Sequence, residues 1–373
     1  MNKKFIDTLF NAFLPIIAVL IALIIGAIIL LLIGANPIQA YGALINGAFG
    51  NKHALANTIV KATPLLLVGL GIAIAFRSGV INIGGEGQMI LGALSATIFG
   101  LAFPNGPAII IVPLALIMGF IGGAFWGGIP GYLKAKFNVN EILSTIMMNA
   151  IAVQLMNFLL RGVLIDKNQM GAALIPQTPR LNRAYDLPRL VPTRLHLGAA
   201  IAIGLAILVY ILLWRTSLGY RIRAVGLNAF ASRYAGISID RTFILSMMLS
   251  GAFCGLAGAI QIYGLNHRMV TDGTAVGFTG SAGFNGIVAA LFGQLHPIGI
   301  IPSSFFFGAL LVGAGKLQRV SQVPAALITT LNGLIVIFVV SSEIWRKRRT
   351  RKRAIEQAVV KKTNTGTIEN EIT

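Results

Sequence analysis

Charge is scarce in this chain, and acidic residues are the scarcest of all. Only 11% of the 373 residues are charged, and Asp and Glu together number 11, whereas about a quarter of a soluble domain is charged. Hydrophobic residues make up 56% of the chain, which is more than a soluble fold of this size can bury. The composition therefore excludes a soluble globular domain and indicates an integral membrane protein, whose apolar surface lies in lipid.

Three further shortages exclude classes of chemistry. The single cysteine, Cys254, rules out an internal disulfide, and its apolar surroundings predict a buried small side chain. No two of the four histidines have the spacing of metal ligands, and no serine nucleophile elbow occurs. The sequence also lacks a G-x-x-x-x-G-K-[ST] loop, so the chain does not hydrolyse ATP with a P-loop. We therefore predict no catalytic residues, no metal site and no cofactor in this chain.

Basic residues are present, and their distribution is informative. The net charge is +19, which by itself is also typical of nucleic-acid binding. The charge is gathered at membrane edges, however, in the segment 214–241 and in the last thirty or so residues. This distribution is typical of cytoplasmic loops that face anionic lipids, so we predict contacts with membrane lipids and none with nucleic acid.

Ten apolar stretches predict an all-α, polytopic membrane protein of about ten transmembrane helices. Three of them are short and lie beside glycine-rich segments, which favours broken helices near the centre around a transport site, although tight re-entrant packing gives the same pattern. Seven are close to the ~20 residues that a bilayer requires: Leu14–Ile33, Pro107–Ile129, Ile142–Leu160, Leu197–Leu213, Thr242–Leu265, Pro297–Gly315 and Val320–Ser342. The three short stretches are Ala62–Phe76, Met89–Phe103 and Gly283–Leu295.

The domain organisation follows from the same pattern. Residues 1–343 form a transmembrane domain that includes a basic cytoplasmic loop at 214–241, and residues 344–373 form a basic, disordered cytoplasmic tail. Two lysines within the first four residues place the amino terminus in the cytoplasm, and ten alternating helices return the carboxyl terminus to the same side. The predicted outer loop at 161–196 is also basic, which runs against the positive-inside rule.

Few polar side chains lie close to the apolar spans. Glu86 precedes a short predicted helix, where a carboxylate either stabilises a helix N-terminus or lies in a substrate path, because ionisable groups at membrane depth are costly. Glu141 opens the next long helix as an N-terminal carboxylate near the cytoplasmic face. Asn149 and Asn157 share one face of that helix, where they either bond to neighbouring helices or line a polar cavity.

The segment from Gly219 to Ile237 is basic and rich in small residues. Asn228 is suited to capping a short helix that ends near Gly236. A short helix in a cytoplasmic loop suits docking in the groove of a partner protein, although a plain amphipathic connector gives the same pattern.

Three segments make the chain similar to a known family. They are Arg77–Met89, Leu218–Asn228 with its continuation through Ala235–Ile237, and Gly277–Ile287 with Leu291–Gly293 and His296–Pro297. In combination, and over about residues 60–340, the chain resembles the permease subunits of ABC importers in the branched-chain amino acid, ribose and nucleoside group. The first and third segments are most similar to the nucleoside branch.

The resemblance implies a set of partners and a location. It implies ABC ATPase subunits that bind the ATP, a second and different permease subunit, an extracellular lipoprotein that binds the substrate, and a bacterial plasma membrane. It also implies that the loop 219–237 is the coupling helix that docks on the ATPase. The residues predicted for that contact are Gly219, Arg221, Arg223, Ala224, Gly226, Asn228, Ala231 and Gly236.

A nucleoside needs partners for its ribose hydroxyls and a flat face for its base. The residues predicted to supply the pathway are Asn82, Glu86, Gln88, Asn149 and Asn285 for hydroxyls, and Phe278 or Phe284 for stacking. A simple sugar or a branched-chain amino acid remains an alternative cargo. An ion-coupled secondary carrier is a second alternative. Such carriers often place carboxylates within a span, whereas the two carboxylates near the spans here, Glu86 and Glu141, stand at helix starts. A membrane-embedded enzyme would require a catalytic constellation that the sequence lacks.

Overall fold

The computed structural model describes residues 20–169 and 175–321, and six helical positions beyond them: Thr330, Gly333, Leu334, Ile337, Phe338 and Ser341. The predicted tail, most of the predicted span Val320–Ser342 and the first residues of Leu14–Ile33 lie outside this part. The chain divides into two compact units. The larger is Gly42–Leu317, and the smaller combines Met1–Tyr41 with Gln318–Thr373.

Every regular element in the described ranges is a helix, as the composition predicts. Thirteen helices are labelled α1 to α13 in chain order. They are α1 Leu20–Leu32, α2 Pro37–Phe49, α3 Lys52–Arg77, α4 Gly85–Ala102, α5 Ala108–Phe137, α6 Glu141–Arg161, α7 Gly198–Arg215, α8 Ser217–Leu227, α9 Ala229–Tyr234, α10 Ile239–Gln261, α11 Ala275–Thr279, α12 Ala282–Phe292 and α13 Pro297–Ser321. A π-helical turn, Ile262–Asn266, extends α10, and a 3₁₀ turn, Arg183–Tyr185, lies in the long loop before α7.

Six helices of the described part are long and apolar enough to cross a membrane. They are α3, α5, α6, α7, α10 with its π turn, and α13. Helices α1 and α12 are apolar but shorter. A multi-pass membrane protein is therefore supported, while the predicted number of about ten spans is not confirmed.

The structure corrects the boundary predicted for the first of the three short apolar stretches, which belongs to α3. The short span Ala62–Phe76 is wrong, because α3 covers 26 residues from Lys52 to Arg77. Asn51 caps it, since its side chain accepts a hydrogen bond from the backbone nitrogen of Ala54 at 2.8 Å. The first turns of α3 carry polar side chains, which an apolar window does not count. The sequence analysis also missed α2 entirely.

The predicted short stretch Met89–Phe103 is likewise longer, since α4 begins at Gly85. The apolar run was cut short by the polar residues Glu86 and Gln88, which belong to the first turn of the helix. The third short stretch, Gly283–Leu295, matches α12 to within a few residues.

Helices α3 and α10 form the centre of the larger unit, and α5 and α6 lie outside them. Most side chains of α3 and of the second half of α10 are buried. Helices α5 and α6 instead expose large apolar side chains, including Ile109, Phe125 and Phe158. Apolar side chains on an outer face are expected where lipid or another membrane subunit covers the helix.

Glycines allow α5 and α10 to approach closely. A Cβ atom added at Gly123 would lie 2.6 Å from the Cα of Gly255, and one at Gly127 would lie 2.9 Å from the Cα of Gly251. Real Cβ atoms do not approach other atoms so closely, so only glycine fits at this crossing. Small residues at helix crossings are the main device for packing helices in a membrane, where the hydrophobic effect does not drive association.

We expect Gly123→Ala to destabilise the protein by about 1–3 kcal/mol, because the new methyl group overpacks the α5–α10 contact. The matched control is Gly204→Ala in α7, where a Cβ would meet nothing within 4 Å. Thermal unfolding of the purified protein in detergent measures both. An equal melting temperature for the two variants would contradict the close packing of α5 on α10.

Candidate functional site

The connection between α3 and α4 carries a buried pair of amides. The turn after α3 needs a glycine at Gly79, whose φ is +86°. Asn82 then donates from Nδ2 to Oε1 of Gln88 at 2.9 Å and to Oγ of Ser250 at 2.8 Å. Gln88 donates in return from Nε2 to Oδ1 of Asn82 at 3.1 Å, and both side chains are buried. The two amides therefore satisfy each other and tie the first turn of α4 to α10.

Helix α6 is tied to its neighbours by two further amides. Asn149 accepts a hydrogen bond from the backbone nitrogen of Gly87 at 2.8 Å and donates to the carbonyl of Ile83 at 3.0 Å. Two turns later, Asn157 accepts from the hydroxyl of Thr271 at 2.7 Å. Of the two alternatives for these side chains, bonding to neighbouring segments is therefore present in the structure.

Glu86 lies between the N-termini of two helices. The side chain is only 2% exposed, and its Oε1 accepts a hydrogen bond from the backbone nitrogen of Phe284 in the first turn of α12, at 3.2 Å. A Cβ added at Gly283 would lie 2.8 Å from Cγ of Glu86, so a glycine is required beside it. The carboxylate thus stands in the first turn of α4 but bonds to the N-terminus of α12, where the helix dipole favours negative charge.

The second oxygen of this carboxylate is unsatisfied. In the described part of the chain, Oε2 of Glu86 is buried without a hydrogen-bond partner. Thr279 lies near the carboxylate, but its hydroxyl donates to the carbonyl of Ala275 at 2.9 Å. A buried polar atom without a partner is costly.

The other predicted pathway residues lie around this cluster. Asn285 is half-buried on α12, one residue after Phe284, which is half exposed. Phe278 is buried in α11, and its carbonyl accepts a hydrogen bond from Nε2 of Gln261 at 2.6 Å. Asn82, Glu86, Gln88 and Asn149 thus come together at the start of α4, while Phe278 lies on a separate short helix. Glu141, at the start of α6, pairs with Lys134 at 3.0 Å.

A cleft of about 480 Å³, open solvent included, lies between α3, α10, α11 and the start of α12. Its polar lining consists of Lys61, Thr63, His196, Gln261 and Thr279. Sequence reasoning missed Lys61 because the apolar span was taken to begin one residue later. One signal in the sequence could have pointed to Lys61. It directly precedes the predicted apolar stretch, where the helix that contains this stretch continues toward its N-terminus.

The loop before α7 is irregular in its described residues, and side-chain contacts hold part of it in place. Asp186 accepts from Arg180 at 3.0 Å, and it contacts Nδ1 of His267 at 2.8 Å. Burial lowers the pKa of His196 to about 4, with the nearby His267 as a second cause. His196 is therefore neutral at pH 7, which agrees with its Nδ1 accepting a hydrogen bond from the backbone nitrogen of Gly198 at 3.2 Å.

The loop 214–241 contains two short helices rather than the single one predicted. Asn228 caps α9, as expected, by accepting a hydrogen bond from the backbone nitrogen of Ala231 at 3.0 Å, and α9 ends before Gly236. Helix α8 precedes it and was not predicted. Its N-cap is Thr216, which accepts from the backbone nitrogen of Gly219 at 3.1 Å.

One surface of this loop is packed and the other is exposed. Ile222 and Val225 are buried, whereas Arg221, Asn228, Ala231 and Gly236 are exposed and Arg223 and Ala224 are half-buried. Large apolar side chains also protrude from α8 and α9: Tyr220 (61% exposed), Leu227 (89%), Phe230 (78%) and Tyr234 (95%). A basic surface with protruding aromatic residues is typical of a protein-docking site.

The loop touches the membrane helices at the end of α3. Gly226 packs on the backbone of Arg77 and Ser78, where an added Cβ would lie 2.8 Å from the carbonyl carbon of Arg77. Gly219 packs in the same way on α7, where its added Cβ would lie 2.6 Å from the Cα of Leu213. These contacts fix both ends of α8 to the bundle.

Aromatic and cationic side chains reinforce the same junction. The guanidinium groups of Arg77 and Arg223 lie 5.1 and 5.6 Å from the ring centre of Trp214, and the ring of His296 lies 4.8 Å from it. Arg77 also donates from Nε to the carbonyl of Leu295 at 3.2 Å. The loop is therefore connected directly to the end of α3 and to the turn between α12 and α13.

Metal binding finds no support in the part of the chain that the structure describes, where no group of three or more His, Cys, Asp or Glu side chains is placed to hold an ion.

Comparison with known proteins gives one family and several relatives. The family model described as the branched-chain amino acid transport system permease component matches residues 54–340. The guanosine ABC transporter permease protein NupP of Bacillus subtilis (strain 168) is 39% identical over 90% of this chain and 95% of its own length. The nucleoside ABC transporter permease protein NupB of Lactococcus lactis subsp. cremoris is 33% identical over 92% of this chain and 94% of its own.

A third relative is named for another cargo. The glucose ABC transporter permease protein TsgB13 of Haloferax volcanii is 32% identical over 90% of this chain and 88% of its own length. No solved structure gave a significant match.

Proposed function

Because the chain belongs to the family of branched-chain amino acid transport system permease components, we propose that it is the membrane-spanning permease subunit of an ATP-driven importer of nucleosides. The nucleoside cargo is supported by one observation. Over nine-tenths of its length the chain is similar to permeases named for guanosine and for nucleosides. The bundle supplies the passage through the membrane, and another subunit supplies the energy.

ATP binding and hydrolysis belong to separate ATPase subunits in this proposal. The sequence has no P-loop, and the loop 214–241 offers a basic surface with four protruding apolar side chains. We propose that α8 and α9 dock on an ATPase, with contacts from the exposed residues among the predicted set. Contact of Gly226 with the end of α3 then carries the movement of the ATPase into the bundle.

The orientation and the remaining partners are part of the same proposal. The basic loop, Lys134 and Lys136 lie at the cytoplasmic side of a bacterial plasma membrane, and both termini lie on that side. A lipoprotein delivers the cargo from outside. A second and different permease subunit covers part of the apolar outer face of α5 and α6, on which Phe125 and Phe158 are exposed.

The cargo pathway is proposed to run beside the cluster around Glu86. Asn82, Gln88 and Asn149 hold the start of α4 in place, and Asn285 and Phe278 stand on the two short helices that face it. The unsatisfied oxygen of Glu86 supports a state in which α12 moves and this carboxylate becomes hydrated.

A glucose importer is the second candidate, because TsgB13 matches as large a share of the chain as NupP does, at lower identity. Uptake of labelled guanosine, uridine and glucose into cells that lack this gene, with and without the gene restored, separates the two. We expect restored uptake of the nucleosides only. Restored uptake of glucose alone, in a strain without other nucleoside and glucose carriers, would replace the proposed cargo and leave the permease assignment in place.

A further inference from the structure

Lys61 is a cation inside a membrane-spanning helix. It lies nine residues after Lys52 and sixteen before Arg77, which corresponds to about 14 Å and 24 Å along α3. The hydrocarbon layer is about 30 Å thick. If Arg77 lies at the inner edge of that layer, Lys61 lies several ångströms below the outer edge.

The surroundings of Lys61 do not neutralise it. Its side chain is exposed, and within residues 20–169 and 175–321 its ammonium group has neither an ion-pair partner nor a hydrogen-bond partner. A charged group at this depth is costly unless it faces water or a ligand. Lys61 lines the cleft, whose wall also holds the polar side chains of Gln261 and Thr279.

The rest of the cleft wall has several polar side chains, of which Gln261 is one, and an apolar part. Gln261 donates from Nε2 to the carbonyl of Phe278 at 2.6 Å, which fixes the amide and leaves its Oε1 as an unoccupied acceptor in the described structure. Leu65, Ile260 and Leu311 supply apolar surface. The cleft therefore combines a strong donor, one oriented acceptor and apolar walls, which is the composition of a site for a small molecule with polar groups.

We infer that this cleft is a cargo-binding site of the permease itself, in which the Lys61 ammonium group donates to the acceptor edge of a nucleobase and Gln261 accepts from a ribose hydroxyl. The inference rests on the proposed nucleoside cargo. A lysine offers donors and no acceptor, so it complements the carbonyl oxygens and ring nitrogens of a base better than hydroxyl groups, which also need an acceptor.

The position of the cleft adds a functional argument. In the proposed orientation, the Lys52 end of α3 faces outside, where the binding protein delivers its cargo. Thr279 and Ala282 line the cleft, and the residue after Ala282 is Gly283, which packs directly on Glu86. The cleft thus lies on the outer side of the polar cluster, so that a molecule bound there would be held until α12 moves.

The first test is transport by the complete importer in cells, with the permease tagged to measure its membrane abundance. We expect Lys61→Met to lower the initial rate of guanosine uptake about tenfold or more at equal abundance, the effect of losing a charge-assisted hydrogen bond. Lys61→Arg keeps a donor and is expected to retain a larger part of the rate. Lys52→Met, at the exposed start of the same helix, is the matched control and should transport normally.

The second test measures whether the cleft is open to water and to cargo. Lys61→Cys is placed in a Cys254→Ala background, which leaves no other thiol, and intact cells are treated with a membrane-impermeant cationic methanethiosulfonate reagent. We expect modification at Lys61→Cys, slowed by guanosine, and none at Leu208→Cys, whose side chain lies on the outer face of α7.

These outcomes separate the inference from the proposed function. If the wild type takes up guanosine but Lys61→Met transports normally, or guanosine does not slow the modification, the cleft is not a cargo site. If the wild type takes up no guanosine, the proposed cargo is wrong, and the cysteine labelling alone then tests whether the cleft is a binding site. If Lys61→Cys does not react, the cleft is not open to water and the inferred site is wrong. If it reacts, the result supports a binding site in the cleft for another cargo.

Discussion

Gly226→Val is expected to abolish nucleoside uptake while leaving the membrane abundance of the permease close to normal. The added side chain has no room, because even a Cβ at this position would lie 2.8 Å from the carbonyl carbon of Arg77 and 3.0 Å from that of Ser78. Backbone atoms cannot turn aside as a flexible side chain can, so α8 must separate from the end of α3. The docking surface and the bundle would then each persist without the contact that joins them.

Two measurements on this variant check the physical reason. Uptake of labelled guanosine in cells is expected to fall to less than a tenth of the wild-type rate, while the ATPase still co-purifies with the permease, because the exposed residues of α8 and α9 are unchanged. Gly204→Val in α7 is the control, since nothing lies within 4 Å of its added Cβ. Normal uptake by Gly226→Val would show that the contact with α3 does not transmit movement.

Glu86→Ala is expected to reduce the amount of folded permease severely, whereas Glu86→Gln should be tolerated. Alanine removes the acceptor of the Phe284 backbone N–H group and leaves a cavity between α4 and α12, together costing about 2–5 kcal/mol. Glutamine keeps an oxygen for the same hydrogen bond and removes a buried charge. Its amide nitrogen takes the place of an oxygen that has no partner among the described residues.

The comparison of the two variants also tests whether this carboxylate serves in transport or only in packing. Membrane abundance is measured by immunoblot and uptake by labelled guanosine. We expect Glu86→Gln to keep normal abundance and at least about half of the uptake, because hydrogen bonding to α12 is retained. Lost uptake at normal abundance would contradict a purely positioning role and assign the charge of Glu86 a direct part in moving the cargo.

Local sequence patterns predicted those parts of the structure that depend on neighbouring residues. The all-helical class follows from the apolar runs, and the cap of α9 follows from Asn228, because an N-cap and its partner are only three residues apart. The patterns failed where polar residues belong to a helix. Lys61 and Glu86 were taken as boundaries, although both lie within helices that simply continue through them.

The polar cluster could not have been derived in the same way. Asn82 bonds to Ser250, 168 residues away, and Glu86 bonds to Phe284, 198 residues away. Nothing in the local pattern says that α4 and α12 meet at their N-termini. The sequence singled out the residue types correctly, because amides and carboxylates are rare in apolar segments, but their partners depend on how the helices pack.

Helix α3 carries Lys61 in its first half and Arg77 at its last position, and about 24 Å separates them. Because a single helix joins the cleft to the junction with α8, it can act as a lever. A tilt of about 10° around its cytoplasmic end would displace Lys61 by about 4 Å, which exceeds the reach of a hydrogen bond. A movement of the loop 214–241 would then release a molecule bound beside Lys61 in the cleft, without any rearrangement within α3 itself.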